Sequence, residues 1–554
     1  MAFSFRWARN GVIVAIITVL AILGVIAGLE SNKTLTSTGT FSPQGGEPRV
    51  NSSQDSTPAA RKGQVVMLII DRVTLKELTD QSLPNFQNLL RLGAMGLMNT
   101  NVVGPRIPDN TYAALGAGSR IQTSPVGGEA YNDSELYYGE RAGQVYQRRL
   151  GLKAEPDSVV HLQLPKILML NADQKYTNQP GALGTVLHQA GLRTGVLGNA
   201  DTAAAAPGII PHGRAAVTIA MDKWGRVDQG VVDQTLLKPD PAFAWGLATD
   251  YNALWQAYKT AAASTDFLVV ELGDTTRADD AMYQSMAKVA ANQKGRALRQ
   301  ADLFLGRIMA DLEISRQLLM VVVPTPSNPA VNEKLLMTPV IMAGPGISNG
   351  LLTTPTTKRP GLVTNIDIAP TVLDYFNLPV PPTMQGQGMT ALAFSQPAER
   401  LSKMEREINF TYVVRPVLAK GYVLTEIIAI CMAMSTIFLG RPRAVYTKRV
   451  LLALMAAPLS LLLFPIFPQL NDFFSVVIVI GVTALIVAVG LWLGQDQELE
   501  AFIYICLATA FCILGDTLLG APLLKESPLS YDPRVGARFY GIGNEYMGVL
   551  LGAA

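Results

Sequence analysis

Hydrophobic positions follow two different rules along this chain. Between residues 64 and 396 they come as short, continuous apolar runs: QVVMLIID (64–71), RTGVLG (193–198), DFLVVELGD (266–274), LLMVVVP (318–324) and TPVIMAGPGI (338–347). Runs of this length, rich in Val and Ile, predict strands buried on both faces. Between them the spacing becomes helical, as in LPNFQNLLRLG (83–93), ALGTVLHQAG (182–191), a long region from about Asp279 to Ile314, and NIDIAPTVLDYFNLPVP (365–381). Glycines stop the first two helices. This alternation predicts an α/β domain, a largely parallel sheet flanked by helices. Two of the runs end in a carboxylate, Asp71 and Asp274. Ligands gather outside the carboxyl ends of such strands. Asp71 has a second reading, as the cap of the helical stretch VTLKEL that follows it.

After residue 421 the rule changes. GYVLTEIIAICMAMSTIFLG (421–440), VLLALMAAPLSLLLFPIF (450–467), FFSVVIVIGVTALIVAVGLWLG (473–494) and AFIYICLATAFCILG (501–515, extending to 524) are each apolar enough to cross a bilayer as a helix. Residues 11–29 form another such run, an N-terminal anchor behind a short cytoplasmic stretch (1–10) that carries Arg6 and Arg9. A polar, Ser/Thr/Pro-rich tether (30–63) separates the anchor from the α/β domain (64–396). A connector (397–420), the four-helix bundle (421–524), an outer loop (525–546) and the start of a further apolar segment (547–554) complete the division. Arg441, Arg443, Lys448 and Arg449 mark the first loop of the bundle as cytoplasmic. That places the α/β domain on the extracytoplasmic side of the cell membrane in a multi-pass protein. Lys525, Arg534 and Arg538 run against the same charge bias. The segment 530–548 is therefore read either as a functional or docking cluster or as an interfacial loop held by its tyrosines.

Composition narrows the chemistry. Of the 554 residues 49% are hydrophobic and only 16% charged, which suits a part-membrane protein. A net charge of +2 gives no case for nucleic acid as a partner. All three cysteines lie in the late apolar runs, so no disulfide framework is expected in the α/β region. The chain has three histidines, His161, His188 and His212, too few for a mechanism with several imidazole ligands. Of these, His212 in its loop is the one worth testing.

VVMLIID, LPNFQNLLRLGAMGLMNTNV, the turn into TYAALGAGSR, LGTVLHQAGLRTGVLGN, DFLVVELGD, TPVIMAGPGI and NIDIAPTVLDYFNLPVPPTMQGQ occur in an order that resembles the alkaline phosphatase superfamily. That superfamily includes phosphodiesterases, sulfatases and phosphoethanolamine transferases. The resemblance implies a two-metal site that activates a Ser or Thr nucleophile. It makes Asp71 and Asp274 metal ligands, and Thr111, after a register shift, a candidate catalytic nucleophile. It also shows what this chain lacks. Arg277 or Ala278 stands where a His is expected, and Thr325 and Pro326 stand where an Asp-His pair is expected. Two carboxylates suit one divalent cation at most, not a zinc pair.

The loops at the same edge carry Arg106, Asp109, Asn110 and Thr111, then Asn199 and Asp201, then Arg277, Asp279 and Asp280. If they converge, they form a pocket for an anionic ligand, with arginines standing where metals would have stood. If they do not, they are ordinary caps and solvated ion pairs. Two functions follow. One is a domain that has lost most metal ligands and binds a phosphate-bearing or other anionic envelope ligand, or a partner. The other is an active membrane-anchored hydrolase or transferase of phosphate or sulfate esters on envelope lipids or glycans. Membrane lipids are expected partners under both.

Overall fold

The computed structural model describes residues 63–203, 212–439, 444–536 and 538–554. The expected anchor (11–29), nearly all of the tether, and Arg441 and Arg443 lie outside the described residues. The chain divides into two compact units. One holds the α/β region up to residue 406 together with residues 533–539; the other holds residues 407–532 and 540–554.

The first unit is built on a ten-stranded sheet. Its strands in chain order are β1 (Val65–Ile69), β2 (Ala94–Asn99), β3 (Thr194–Leu197), β4 (Gln229–Val231), β5 (Phe267–Glu271), β6 (Leu318–Val322), β7 (Met337–Ala343), β8 (Gly350–Thr353), β9 (Leu362–Thr364) and β10 (Thr390–Ala393). Across the sheet they run β10-β8-β2-β7-β6-β1-β5-β3-β4, with β9 also pairing with β2. β1 lies between β5 and β6 and is parallel to both; Val65 is opposite Phe267 on one side and Leu318 on the other. All five residues of β1, β5 and β6 are buried. That is why these segments read as unbroken apolar runs.

The sheet is not parallel throughout. β7 is antiparallel to both β6 and β2, and β10 is antiparallel to β8. The connection from β6 to β7 contains only a five-residue helix, Asn328–Asn332. A helix that short does not run the length of a strand, and β7 returns in the opposite direction.

Helices cover the sheet, among them α1 (Pro84–Leu92), α2 (Pro108–Ala117), α3 (Asp274–Asp280), α4 (Ala287–Asp311) and α5 (Ile368–Tyr375). The single helix expected over 279–314 is divided into α3 and α4 by a short 3-10 turn, Met282–Gln284, with extended backbone at Ser285 and Met286. The segment NIDIAPT begins as a 3-10 turn capped by Thr364 and Asp367, then continues as α5.

Among the described residues, the second unit contains four long helices with apolar stretches: α6 (Pro397–Leu439), whose residues up to 406 belong to the first unit, α7 (Ala444–Leu463), α8 (Asp472–Leu493) and α9 (Glu498–Leu518). Each has the length and composition to cross a membrane. Residues 397–420, expected as a connector, are helical and continuous with the first of them. α7, α8 and α9 pack through a seam of Leu452, Ala456, Ala501 and Ile505. Gly490 of α8 lies against Ile505, where even a Cβ would stand 3.2 Å from its Cγ1. Such close approach through small residues is what holds apolar helices together where lipid competes for the same surface. A further helix, α10 (Asn544–Ala553), covers the span expected to begin another apolar segment.

One contact in the first unit could not be read from local sequence. α1 has no side-chain cap of its own. Asp302, buried on α4, accepts from the backbone N–H of Phe86 and from Asn85 Nδ2, both at 2.9 Å. It serves as a cap delivered from over two hundred residues away. Asp302→Ala should remove about 2 kcal/mol of stability, as expected for a charge-assisted bond lost from a buried group. A lower melting temperature of the detergent-solubilised protein checks it.

Candidate functional site

The carboxyl ends of β1, β5 and β3, with the loops that follow β2 and β6, make one edge of the sheet. Asp71 follows β1 and is 1% exposed. It is not the cap of the next helix. Thr74 takes that place, in a capping box with Glu77. Asp71 Oδ1 instead accepts from the backbone N–H of Thr325 at 2.6 Å, while its Oδ2 is buried with no hydrogen-bond partner among the described residues.

Beside it is a residue that the sequence reading passed over. Glu271 is the last residue of β5, opposite Ile69. Its Oε1 accepts from the Tyr112 hydroxyl at 2.8 Å, and its Oε2 is buried without a partner among the described residues. A carboxylate inside an apolar strand is costly unless something requires it, and that was the signal available. Burial pushes Glu271 up to about 8 and Asp71 up to about 6. The charge of Asp71 raises Glu271 further, whereas Arg72 pulls Asp71 back down.

Arg72 sits at a φ of +61°, a conformation strained for any residue with a Cβ. That backbone turns its guanidinium toward Asp71 (3.8 Å), Asp279 (3.2 Å) and Asp280 (3.6 Å). Asp279 also accepts from the backbone N–H of Asn328. Thr111, on the first turn of α2, is fully buried; its Oγ1 lies 2.9 Å from Thr325 Oγ1 and 3.1 Å from the Ile107 carbonyl. The neighbouring residues brace the loop. Asn110 accepts from the backbone of Thr123 and Ser124 and donates to the Pro105 carbonyl. Asp109 accepts from Gly127, and burial raises it to about 6. Arg106 donates to the Arg534 carbonyl and to Asn101.

A second cluster closes the ends of β3 and β5. Arg277 is completely buried. It donates to Asp274 (2.8 Å), to Thr249 Oγ1 (2.6 Å) and to the carbonyls of Asn199 (3.3 Å) and Asp201 (3.1 Å). Asp274 also accepts from the backbone N–H of Thr249. Asp201 accepts from His212 Nδ1 (2.9 Å), Gly213 N (2.8 Å) and Arg214 Nε (2.9 Å). These partners hold Asp201 below the usual carboxylate range against the effect of burial. The close approach of β3 to β5 depends on Gly198, at φ +91°, where a Cβ would stand 2.1 Å from the Glu271 carbonyl oxygen.

The other two histidines lie elsewhere. His161 is buried at the end of a short strand, its Nε2 3.1 Å from the Gly127 carbonyl, and burial lowers it to about 4. His188 lies between Asp222 (3.3 Å) and Asp228 (2.9 Å), which raise it to about 9 against its burial.

The α/β unit is similar to solved structures of the alkaline phosphatase superfamily. One is a member of that superfamily from Vibrio parahaemolyticus, with 14% identity, 59% of this chain and 69% of that one covered, and a TM-score of 0.34. A second is the lipoteichoic acid synthase LtaP from Listeria monocytogenes, with 11% identity, 59% and 74% covered, and a TM-score of 0.34. A third is a phosphonate monoester hydrolase from Silicibacter pomeroyi, with 13% identity, 59% and 76% covered, and a TM-score of 0.32. No family profile matches the sequence, and no curated protein does.

The electrostatics set two expectations. Asp71 and Glu271 have folded pKa values above their ordinary 3.8 and 4.5, so the native state holds protons that the unfolded chain releases. Their contribution is complete below about pH 4 and is lost as pH rises through 6 and then 8. Glu271→Gln should match the parent within about 1 kcal/mol at pH 5, because the amide resembles the protonated acid. It should melt higher than the parent above pH 8, and melting curves across that range check it. Arg277→Met should cost about 3–5 kcal/mol, because it leaves Asp274 buried and unpaired. Pairing it with Asp274→Leu should recover much of the loss, which a double-mutant cycle in melting temperature reads out.

Proposed function

We propose that this chain is a multi-pass membrane protein whose α/β unit, on the extracytoplasmic side, binds an acidic ligand or partner without two-metal catalysis. The observation that carries this reading is the guanidinium of Arg277. It lies against Asp274, one of the two carboxylates that the family resemblance would make metal ligands, and its bonds are directed at protein atoms. A buried cation at 2.8 Å repels a metal ion from the same carboxylate. Among the described residues, no three His, Cys, Asp or Glu side chains come together to hold a metal ion. Asp71, the other expected ligand, spends one oxygen on Thr325. The donor set therefore does not fit a two-metal centre, and among the described residues the hydrogen-bond partners of Thr111 Oγ1 are Thr325 Oγ1 and the Ile107 and Pro108 carbonyls, none of them a general base.

Sidedness rests on Lys448, Arg449 and the arginines before them, which mark the loop between α6 and α7 as cytoplasmic. Of the three basic residues that run against this pattern, Arg534 has an explanation within the α/β unit. Arg534 is 2% exposed, and its guanidinium donates to the Lys334 carbonyl at 3.0 Å. A charge buried in protein carries no weight in the charge bias of a loop.

The test is metal analysis and ester hydrolysis on the full chain in detergent, after incubation with zinc, magnesium or manganese. The expected result is far less than one equivalent of retained metal, no turnover of aryl phosphate or aryl sulfate above buffer, and no change on Thr111→Ala. Stoichiometric metal together with turnover abolished by Asp71→Ala would overturn the reading in favour of a membrane-anchored ester hydrolase or transferase.

A further inference from the structure

Residues 533–536 follow α9 in sequence, yet they belong to the α/β unit. Four side chains of that unit each donate to one of four successive carbonyls. Asn99 Nδ2 donates to Pro533 at 2.6 Å, Arg106 Nη2 to Arg534, Asn101 Nδ2 to Val535 at 2.6 Å, and Arg120 Nη2 to Gly536. Asn99 is the last residue of β2. Because β7 is antiparallel to both β2 and β6, and β6 is parallel to β1, β2 and β1 run in the same direction. The strap therefore lies on the same sheet edge that Asp71 occupies. Its shape depends on Gly536, at φ +68°, where a Cβ would come within 2.8 Å of Arg120 Nη2 and 2.9 Å of Asn99 Oδ1.

The donors are chemically richer than their occupant requires. The Arg120 guanidinium presents paired N–H groups suited to two oxygens of one anion, and the Gly536 carbonyl uses only part of that fork. Arg120 is half-buried, and no carboxylate forms an ion pair with it among the described residues. Burial lowers its pKa, and Tyr176 offsets only part of the effect. Two guanidiniums and two amides facing one short stretch of backbone form a site that an oxyanion would fill better than neutral carbonyls do.

We propose that the strap is a tethered occupant of a phosphoryl-binding site. Once it withdraws, Asn99, Asn101, Arg106 and Arg120 bind a phosphate group. This rests on the ligand-binding reading above and supplies its residues and its regulation. Strap and phosphate exclude one another, so affinity measured on the parent is reduced by the fraction of molecules in which the strap is out.

The experiment uses the full chain in detergent with inorganic pyrophosphate as the probe. Calorimetry reads binding, and mass spectrometry reads tryptic cleavage after Arg534. Gly536→Val displaces the strap and leaves all four donors intact. It should expose the Arg534 site and tighten pyrophosphate binding by about tenfold or more. Arg106→Ala with Arg120→Ala should expose the same site and abolish binding. The charge-preserving pair Arg106→Lys and Arg120→Lys replaces them if their melting temperature falls, and it should show weakened binding. Phosphatidic acid doped into the micelle in place of pyrophosphate distinguishes a lipid headgroup from a soluble phosphate. The proposal is overturned if Gly536→Val exposes Arg534 with no gain in affinity in either arm, or if the arginine variants bind as the parent does. Hydrolysis of pyrophosphate in place of simple binding would instead sink the non-catalytic reading and leave the site in place.

Discussion

The buried guanidinium of Arg277 determines what the strand edge of this protein can be. It joins Asp274, Thr249 and the two carbonyls after β3 into one closed network. A cation in that position is paired, fully hydrogen-bonded and dry. Such a group is costly to bury and costlier to disturb, because either partner alone is an uncompensated charge. The network makes the ends of β3 and β5 a fixed structural joint. The carboxylates of this joint, Asp274 and Asp201, are committed to arginine or histidine before any ligand arrives.

The neighbouring pair, Asp71 and Glu271, is of a different kind. No strong cation saturates it, and each residue keeps one buried oxygen unpartnered among the described residues. Burial among three parallel strands favours the protonated form of both acids, raising Glu271 to about 8 and Asp71 to about 6. Arg72, turned in by its positive φ, is shared with Asp279 and Asp280 and offsets only part of the burial penalty. One edge of one sheet thus holds two electrostatic solutions side by side. One is ion pairing with arginine, and the other is suppression of charge.

The third part of the edge, beyond β2, carries donors that are satisfied by backbone. There the strap at 533–536 provides neutral carbonyls to two arginines and two asparagines. Carbonyl acceptors satisfy N–H groups but do not neutralise charge. The part of the edge with the most open chemistry is therefore the part held by the segment most distant in sequence.

The sequence alone determined the strands and which polar residues end them. β1, β5 and β6 are buried on both faces and so appear as continuous apolar runs, and each long helix of the second unit carries an apolar stretch long enough to cross a bilayer. Asp71, Asp274, Arg277 and Thr111 could be named because they stand where strands or caps end. What local pattern could not carry was direction and partnership. The reversal of β7 leaves no mark in its own apolar run, which reads like those of the parallel strands. The cap that Asp302 gives α1, the pairing of Asp201 with His212 and Arg214, and the proximity of Glu271 to Asp71 depend on residues far apart in the chain. The strap depends on contacts across more than four hundred residues. Hydrogen bonds and charge pairs of that kind leave no periodicity in sequence, because each is set by the position of one atom in space. Tertiary structure alone decided whether the polar residues of this edge were open to a ligand or committed to each other.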